Sequence, residues 1–205
     1  MKTVFRSPKR FPLTIALIVL NVAVYICTSI VSGDFLVTGD TVILQYGQVN
    51  LLVMNGWYWQ LFTSMFIHAN ITHLAGNMLF LLIFGFKAEE LFSSGEYVLI
   101  YLVSGLAGNL LTLLLGPDMV SVGASGAIFG VFGATIIYSR RAIGQSIISA
   151  LLYSFFLLMI SSGPEVNFAA HLGGLVIGLA IGYALALRRK PPAKYQYRFS
   201  YSPKP

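Results

Sequence analysis

The segment His68-Ala-Asn-Ile-Thr-His73-Leu-Ala-Gly-Asn77 gathers two imidazoles and a carboxamide into a short stretch. His73 and Asn77 are spaced i, i+4, so on a helix they share one face. Far along the chain, Gly123-Ala-Ser125-Gly126 supplies a hydroxyl among small residues, and His171 supplies the third and last imidazole. These residue types support one concrete chemistry. A serine hydroxyl is a poor nucleophile until a base removes its proton, and a neutral imidazole can remove it near pH 7. Fixed N–H donors can then hold the oxyanion that develops. Two other readings stay open on the residues alone. The histidines could ligate a metal, although HxxxxH is not HExxH and no carboxylate lies near it. They could also be hydrogen-bonding glue between helices, since Gly, Ala and Ser are ordinary packing residues in membrane helices.

Residues so far apart act together only if the elements carrying them meet at one depth. Composition sets the solvent in which those elements form. Of 205 residues, 57% are hydrophobic and 10% charged, with a mean hydropathy of +0.78. A soluble domain is about 25% charged. A single aqueous core would leave far too much apolar surface exposed, and a disordered chain is excluded as well. The natural solvent is a bilayer. The net charge of +6 then reads as a cytoplasmic excess of Lys and Arg rather than as a nucleic-acid surface. The single cysteine, Cys27, permits no internal disulfide and no cysteine metal cluster; inside the first helix it is a small hydrophobe.

Charge-free runs cover residues 11–33, 41–86, 97–117, 119–139, 142–164 and 166–187. A helix crosses the hydrocarbon core with about 20 apolar residues, so five runs hold one span each. In the longest run, Gln45–Gln60 is rich in Gln, Asn, Gly and aromatics and contains both tryptophans, Trp57 and Trp59. Such residues prefer the headgroup level. The reading is an interfacial loop over about 34–65, with the second span starting near Phe66. Six helices result. All 13 Lys and Arg then fall on one side, while Asp34, Asp40, Asp118 and Glu165 fall on the other. A seventh span at 41–60 would split the basic loops between the faces. The expected organisation is therefore a basic cytoplasmic N-terminus over 1–10, a six-helix membrane domain over 11–187, and a flexible basic cytoplasmic tail over 188–205. The apolar part of the N-terminus is too long for a signal peptide and lacks a small-x-small cleavage site, so it is read as an uncleaved first helix.

On this frame His68 to Asn77 opens the second helix, Ser125 the fourth and His171 the sixth, all at one depth slightly below the outer surface. That common depth weighs against simple glue. Gly126, Gly130 and Ala134 recur at i, i+4 on the fourth helix, and Gly174, Gly178 and Gly182 on the sixth. This small-xxx-small pattern lets backbones touch, and packing these faces together would bring Ser125 to His171. Asn70-Ile-Thr72 forms a glycosylation sequon, discounted because it sits at the membrane surface beside a helix start.

Gly123-Ala-Ser125-Gly126-Ala-Ile-Phe-Gly130, Ala170-His171-Leu-Gly-Gly174-Leu-Val-Ile-Gly178 and His68…His73…Asn77 together resemble the rhomboid family of intramembrane serine proteases, over all six helices in the family's order and spacing. The resemblance implies an all-α six-transmembrane-helix bundle with a Ser–His dyad, needing no cofactor or metal. Ser125 would be the nucleophile and His171 the general base. His73 and Asn77, with the Ser125 backbone N–H, would form the oxyanion hole, supported by His68 and Gly123. Phe129 lies where the family often sets an aromatic ring against the base. The implied partners are transmembrane protein substrates in a cell membrane, with no nucleic acid. The family usually has Trp-Arg in its first loop, where this chain has Trp59-Gln60, a departure that bears on how the loop is anchored. Rival readings are a catalytically inactive relative acting as a membrane scaffold, which would usually lack the Ser or the His, and a small transporter, which would place ionisable groups near mid-span.

The charge asymmetry generates a topology test. With Asp118 and Ser202 replaced separately by cysteine, an impermeant thiol reagent added to sealed cells should modify position 118 only. Modification at 202 would refute the six-span arrangement.

Overall fold

The computed structural model describes residues 11–142, 146–160 and 166–189. Six long helices dominate: α1 (Pro12–Ser32), α5 (Ile71–Leu91), α6 (Ser94–Thr112), α7 (Ser125–Ala142), α8 (Ile147–Ile160) and α9 (Phe168–Arg188). Between α1 and α5 the chain forms short helices α2 (Asp40–Tyr46), α3 (Asn50–Met54) and α4 (Gln60–Thr63), and strand β1 (Gln48–Val49). Strand β2 (Val120–Ser121) pairs antiparallel with β1, setting Gln48 opposite Ser121 and Val49 opposite Val120.

Three of the long helices, α5, α6 and α9, start at a side-chain cap. Asn70 accepts from the His73 N–H at 2.8 Å. Ser93 and Glu96 form a reciprocal capping box. Asn167 accepts from the Ala170 N–H at 3.0 Å. α1 has Pro12 in its first turn but no side-chain cap of its own. The Glu89 carboxylate reaches over from α5 instead, accepting from the Thr14 N–H at 2.6 Å and the Leu13 N–H at 3.3 Å. A carboxylate at a helix N-terminus also meets the positive end of the dipole.

Burial is inverted relative to a soluble protein. The buried residues of α1 are Thr14, Asn21, Tyr25, Thr28 and Ser29, while Val19, Ile30 and Val31 are exposed. α8 buries only Ala150, Ser154 and Leu158, one stripe at i, i+4, and exposes Ile148, Leu152, Phe155, Phe156 and Ile160. Apolar side chains line the outside because the surrounding medium is hydrocarbon. α1, α5, α9, and α6 with its extension to Leu115 are each long and apolar enough to cross a membrane. α7 is the central helix and packs most extensively on α9 and α6. Its Ala127, Val131 and Ala134 are fully enclosed, so protein rather than lipid surrounds it.

One helix start differs from the sequence reading. The second long helix begins at Ile71, not near Phe66, because Ser64–Phe66 closes a 3-10 turn, Ile67 is extended and Asn70 caps the helix. His68 therefore precedes that helix rather than opening it. The fourth begins at Ser125, as expected, although its charge-free run opens at 119; Val120 and Ser121 are used in strand pairing and Gly123 takes φ +118°. A charge-free run marks what a bilayer tolerates, not what is helical. The fifth run, 142–164, contributes the 14 residues of α8; residues 143–145 and 161–165 lie outside the described residues, as do the basic N-terminus and the tail from 190.

The axis of the bundle is the α7–α9 contact. A Cβ on Gly174 would collide with the Gly126 backbone, one on Gly178 with the Gly130 backbone, and one on Gly182 with the Ala134 backbone. The obstacles are main-chain atoms, which cannot swing aside. Gly178→Leu should therefore force the two helices apart and destabilise the protein by about 1–3 kcal/mol or more, read as a lower midpoint of thermal unfolding in detergent, with loss of any activity at Ser125. A variant as stable as the parent would contradict this packing.

Candidate active site

The glycine contact sets the N-terminal ends of α7 and α9 side by side. Ser125 is the first residue of α7, and His171 lies in the first turn of α9. Ser125 Oγ and His171 Nε2 are 2.8 Å apart. The Phe129 ring, one turn below Ser125, stacks on the imidazole with centroids 4.4 Å apart and planes 22° apart. Among the described residues no hydrogen-bond partner reaches His171 Nδ1. The ring is thus held by Ser125 on one edge and Phe129 on one face, and among the described residues no carboxylate bonds to it.

His73 and Asn77 face this pair from α5. Both line the same cavity as Ser125 and His171, a space of about 630 Å³ whose deeper walls include Phe84, Phe132 and Leu157. Gly123 closes the opposite side. Its φ of +118° suits glycine, and a Cβ there would stand 2.8 Å from His73 Nε2 and 3.9 Å from Asn77 Nδ2. Any side chain at 123 would fill the space toward which both donors point. Asn77 Nδ2 donates one hydrogen to the His73 carbonyl at 2.9 Å; an amide nitrogen carries two, so one remains for the cavity. The Gly123 N–H donates to the Ser64 carbonyl at 2.9 Å, which fixes the loop leading into Ser125.

His68 is placed differently. It is fully buried behind His73, with ring centroids 5.3 Å apart in an edge-on arrangement, and it does not line the cavity. Its carbonyl accepts from Thr38 Oγ1 at 2.6 Å. Among the described residues no three His, Cys, Asp or Glu side chains converge as a metal cage would.

Sequence reasoning missed several residues that shape this end of the bundle. Asn167 caps α9 and also donates through Nδ2 to Thr112 Oγ1 at 2.8 Å and Ser121 Oγ at 2.7 Å. Asn50 Nδ2 donates to the carbonyls of Thr112 and Gly116, and Gln48 Nε2 to the Asn109 carbonyl. Asn109 in turn donates to Ser64 Oγ at 2.9 Å. Gln60 is fully buried, accepting from the Val49 N–H at 2.9 Å and donating to the Leu44 carbonyl at 2.7 Å. The loop is therefore anchored through Gln60 where the family usually has Arg. The only available signal was a density of Asn and Gln that a surface loop would show equally well.

Comparison with known proteins locates the chain. The Rhomboid domain family matches residues 55–188. "Putative rhomboid protease YdcA" of Bacillus subtilis is 32% identical over 186 residues, covering 88% of this chain and 91% of that protein. Rhomboid protease GluP of the same organism is 32% identical over 183 residues, covering 85% of this chain and 35% of GluP. RHOMBOID-like protein 6, mitochondrial, of Arabidopsis thaliana is 38% identical over 136 residues, 63% of this chain. The chain spans 44% of that protein and 38% of RHOMBOID-like protein 1 from the same plant, less than half of each. With a family match over most of the helical bundle, and a bacterial relative shared along nearly its whole length, the chain belongs to the rhomboid family and is an all-α, multi-pass membrane protein.

Proposed function

We propose that this protein is an intramembrane serine endopeptidase that hydrolyses peptide bonds in or near transmembrane segments of other membrane proteins. The observation that carries the reading is the 2.8 Å contact between Ser125 Oγ and His171 Nε2, set at the wall of a cavity among apolar helices. Family membership and the protease names of the Bacillus relatives support it.

In the first step Ser125 Oγ attacks the scissile carbonyl carbon while its proton passes to His171 Nε2. The carbonyl π pair becomes an oxyanion. The Ser125 N–H at the α7 N-terminus, His73 and Asn77 are the donors that receive it. The imidazolium formed at His171 is stabilised against the Phe129 face. His171 then gives the proton to the leaving amine, the C–N bond breaks, and the acyl group stays on Ser125. Water entering the cavity attacks that ester with His171 again as base, releasing the new carboxyl end and restoring Ser125. A transmembrane substrate must unwind locally to present its peptide bond, since a helical backbone is hydrogen-bonded and covered. Phe80 and Phe84 of α5 and Leu157 of α8 line the cavity, and the passage between these two helices is the route from lipid. In this reading the membrane domain runs over 11–187 in the cell membrane, with a basic segment before it and a basic tail after it, both cytoplasmic.

The purified protein in liposomes should cleave a model transmembrane substrate. Ser125→Ala and His171→Ala should each abolish cleavage, and the double variant should be no worse, because the two residues act as a unit. Cleavage retained by Ser125→Ala would overturn the proposal, and a wild type that binds the substrate without cutting it would favour the inactive scaffold. Asn77→Ala removes one oxyanion donor and should lower kcat by roughly 100-fold, leaving measurable activity. The rate should fall on the acid side, because protonated His171 cannot accept the serine proton; an acid limb that persists unchanged when cleavage is restored by another base would contradict the assignment. EDTA should leave the rate unchanged.

A further inference from the structure

Among the described residues no acid reaches the His171 ring, so its position along the α9 axis is set where α9 begins. Asn167 is one helical turn before His171, and Ser121 is four residues before Ser125. The carboxamide of Asn167 uses both ends. Its oxygen accepts from the Ala170 N–H at 3.0 Å, and its nitrogen donates to Ser121 Oγ at 2.7 Å and to Thr112 Oγ1 at 2.8 Å. Thr112 is the last residue of α6 and itself donates to the Gly108 carbonyl at 2.9 Å. Ser121 is in β2, locked by pairing to Gln48. One amide thus joins three elements: the helix that carries the base, the strand that leads into the nucleophile, and the helix packed against both. The Asn167–Ser121 contact is nearly the same length as the Ser125–His171 contact.

We propose that Asn167 is a positioning residue for the reaction at Ser125, setting the separation and alignment of the dyad through its bridge to Ser121 and Thr112. The inference rests on the Ser–His reading given above. The cap and the bridge are separable functions. A serine at 167 keeps an oxygen that can cap α9 but is too short to span to the two hydroxyls. An aspartate keeps the cap and can accept from Ser121 Oγ, which can turn to donate, while the one hydrogen of the Thr112 hydroxyl stays on the Gly108 carbonyl.

The test measures cleavage in liposomes, the rate at which a fluorophosphonate probe labels the protein, and thermal unfolding, for wild type, Asn167→Ser, Asn167→Asp, Ser121→Ala and Asn167→Ser/Ser121→Ala. Misalignment by about 1 Å costs up to about 100-fold in rate. Asn167→Ser should therefore lower kcat and the labelling rate together, by roughly 10- to 100-fold, with KM and the unfolding midpoint close to wild type. Ser121→Ala should show a loss of the same kind, the double variant should be no worse than Asn167→Ser, and Asn167→Asp should restore most of the rate. Wild-type labelling by Asn167→Ser would overturn the proposal, as would a change confined to KM, which would make Asn167 a substrate contact. Fully additive losses in the double variant would overturn the bridge. Ser125→Ala, run in parallel, separates the two levels. If it still cleaves, the dyad reading fails; if it is dead while Asn167→Ser is unimpaired, only the positioning role fails.

Discussion

The close approach of α7 and α9 is the constraint on which the rest of this molecule depends. Gly174 and Gly178 stand against the backbones of Gly126 and Gly130 with no room for even a methyl group. In a bilayer, helices gain nothing by hiding apolar side chains from lipid, so association relies on close packing and interhelical hydrogen bonds. Glycine at each fourth residue supplies the first. Ser125 and His171, separated by 46 positions in the chain, become neighbours because each lies in the first turn of its helix at the same end of this seam.

The second requirement is met above the seam. Membrane helices leave their N-terminal N–H groups without partners, and in a low-dielectric setting those groups must be satisfied. Asn70, Ser93 and Asn167 do this within their own segments, and Glu89 does it for α1 from another helix. At the site end, Gln48, Asn50, Asn109, Thr112, Ser121 and Asn167 join the segment between α1 and α5 to the ends of α6 and α9. This polar layer fixes the rim of the cavity while leaving the cavity itself open beside Ser125. The proposed oxyanion donors would need such a frame, because an oxyanion hole works only if its dipoles do not have to turn as charge develops.

Much of this arrangement was legible in the sequence. Charge-free runs placed the long helices, i, i+4 glycines marked the seam, and Ser125 and His171 were expected at one depth. The legible features share a property: each is repeated or forbidden by the bilayer, so it leaves a periodic or compositional trace. What the sequence did not disclose lacks such a trace. Strands of two residues, Gln48–Val49 and Val120–Ser121, are too short to show alternation. The helix start at Ile71 is decided by the Asn70 cap rather than by hydropathy, which runs on unbroken through the preceding loop. The reach of Glu89 to Thr14, or of Asn167 to Ser121, is a tertiary fact, and an Asn before an apolar run signals only a cap.

The most direct test of the central claim is to map where a fluorophosphonate becomes attached. The probe loses fluoride and forms a phosphonyl ester with a serine oxygen only where a neighbouring base removes the hydroxyl proton. Peptide mass spectrometry of the labelled protein should find the adduct on Ser125 alone, and His171→Ala should abolish it without changing the fold. An adduct on another residue, or one that forms on Ser125 at the same rate in His171→Ala, would contradict the account.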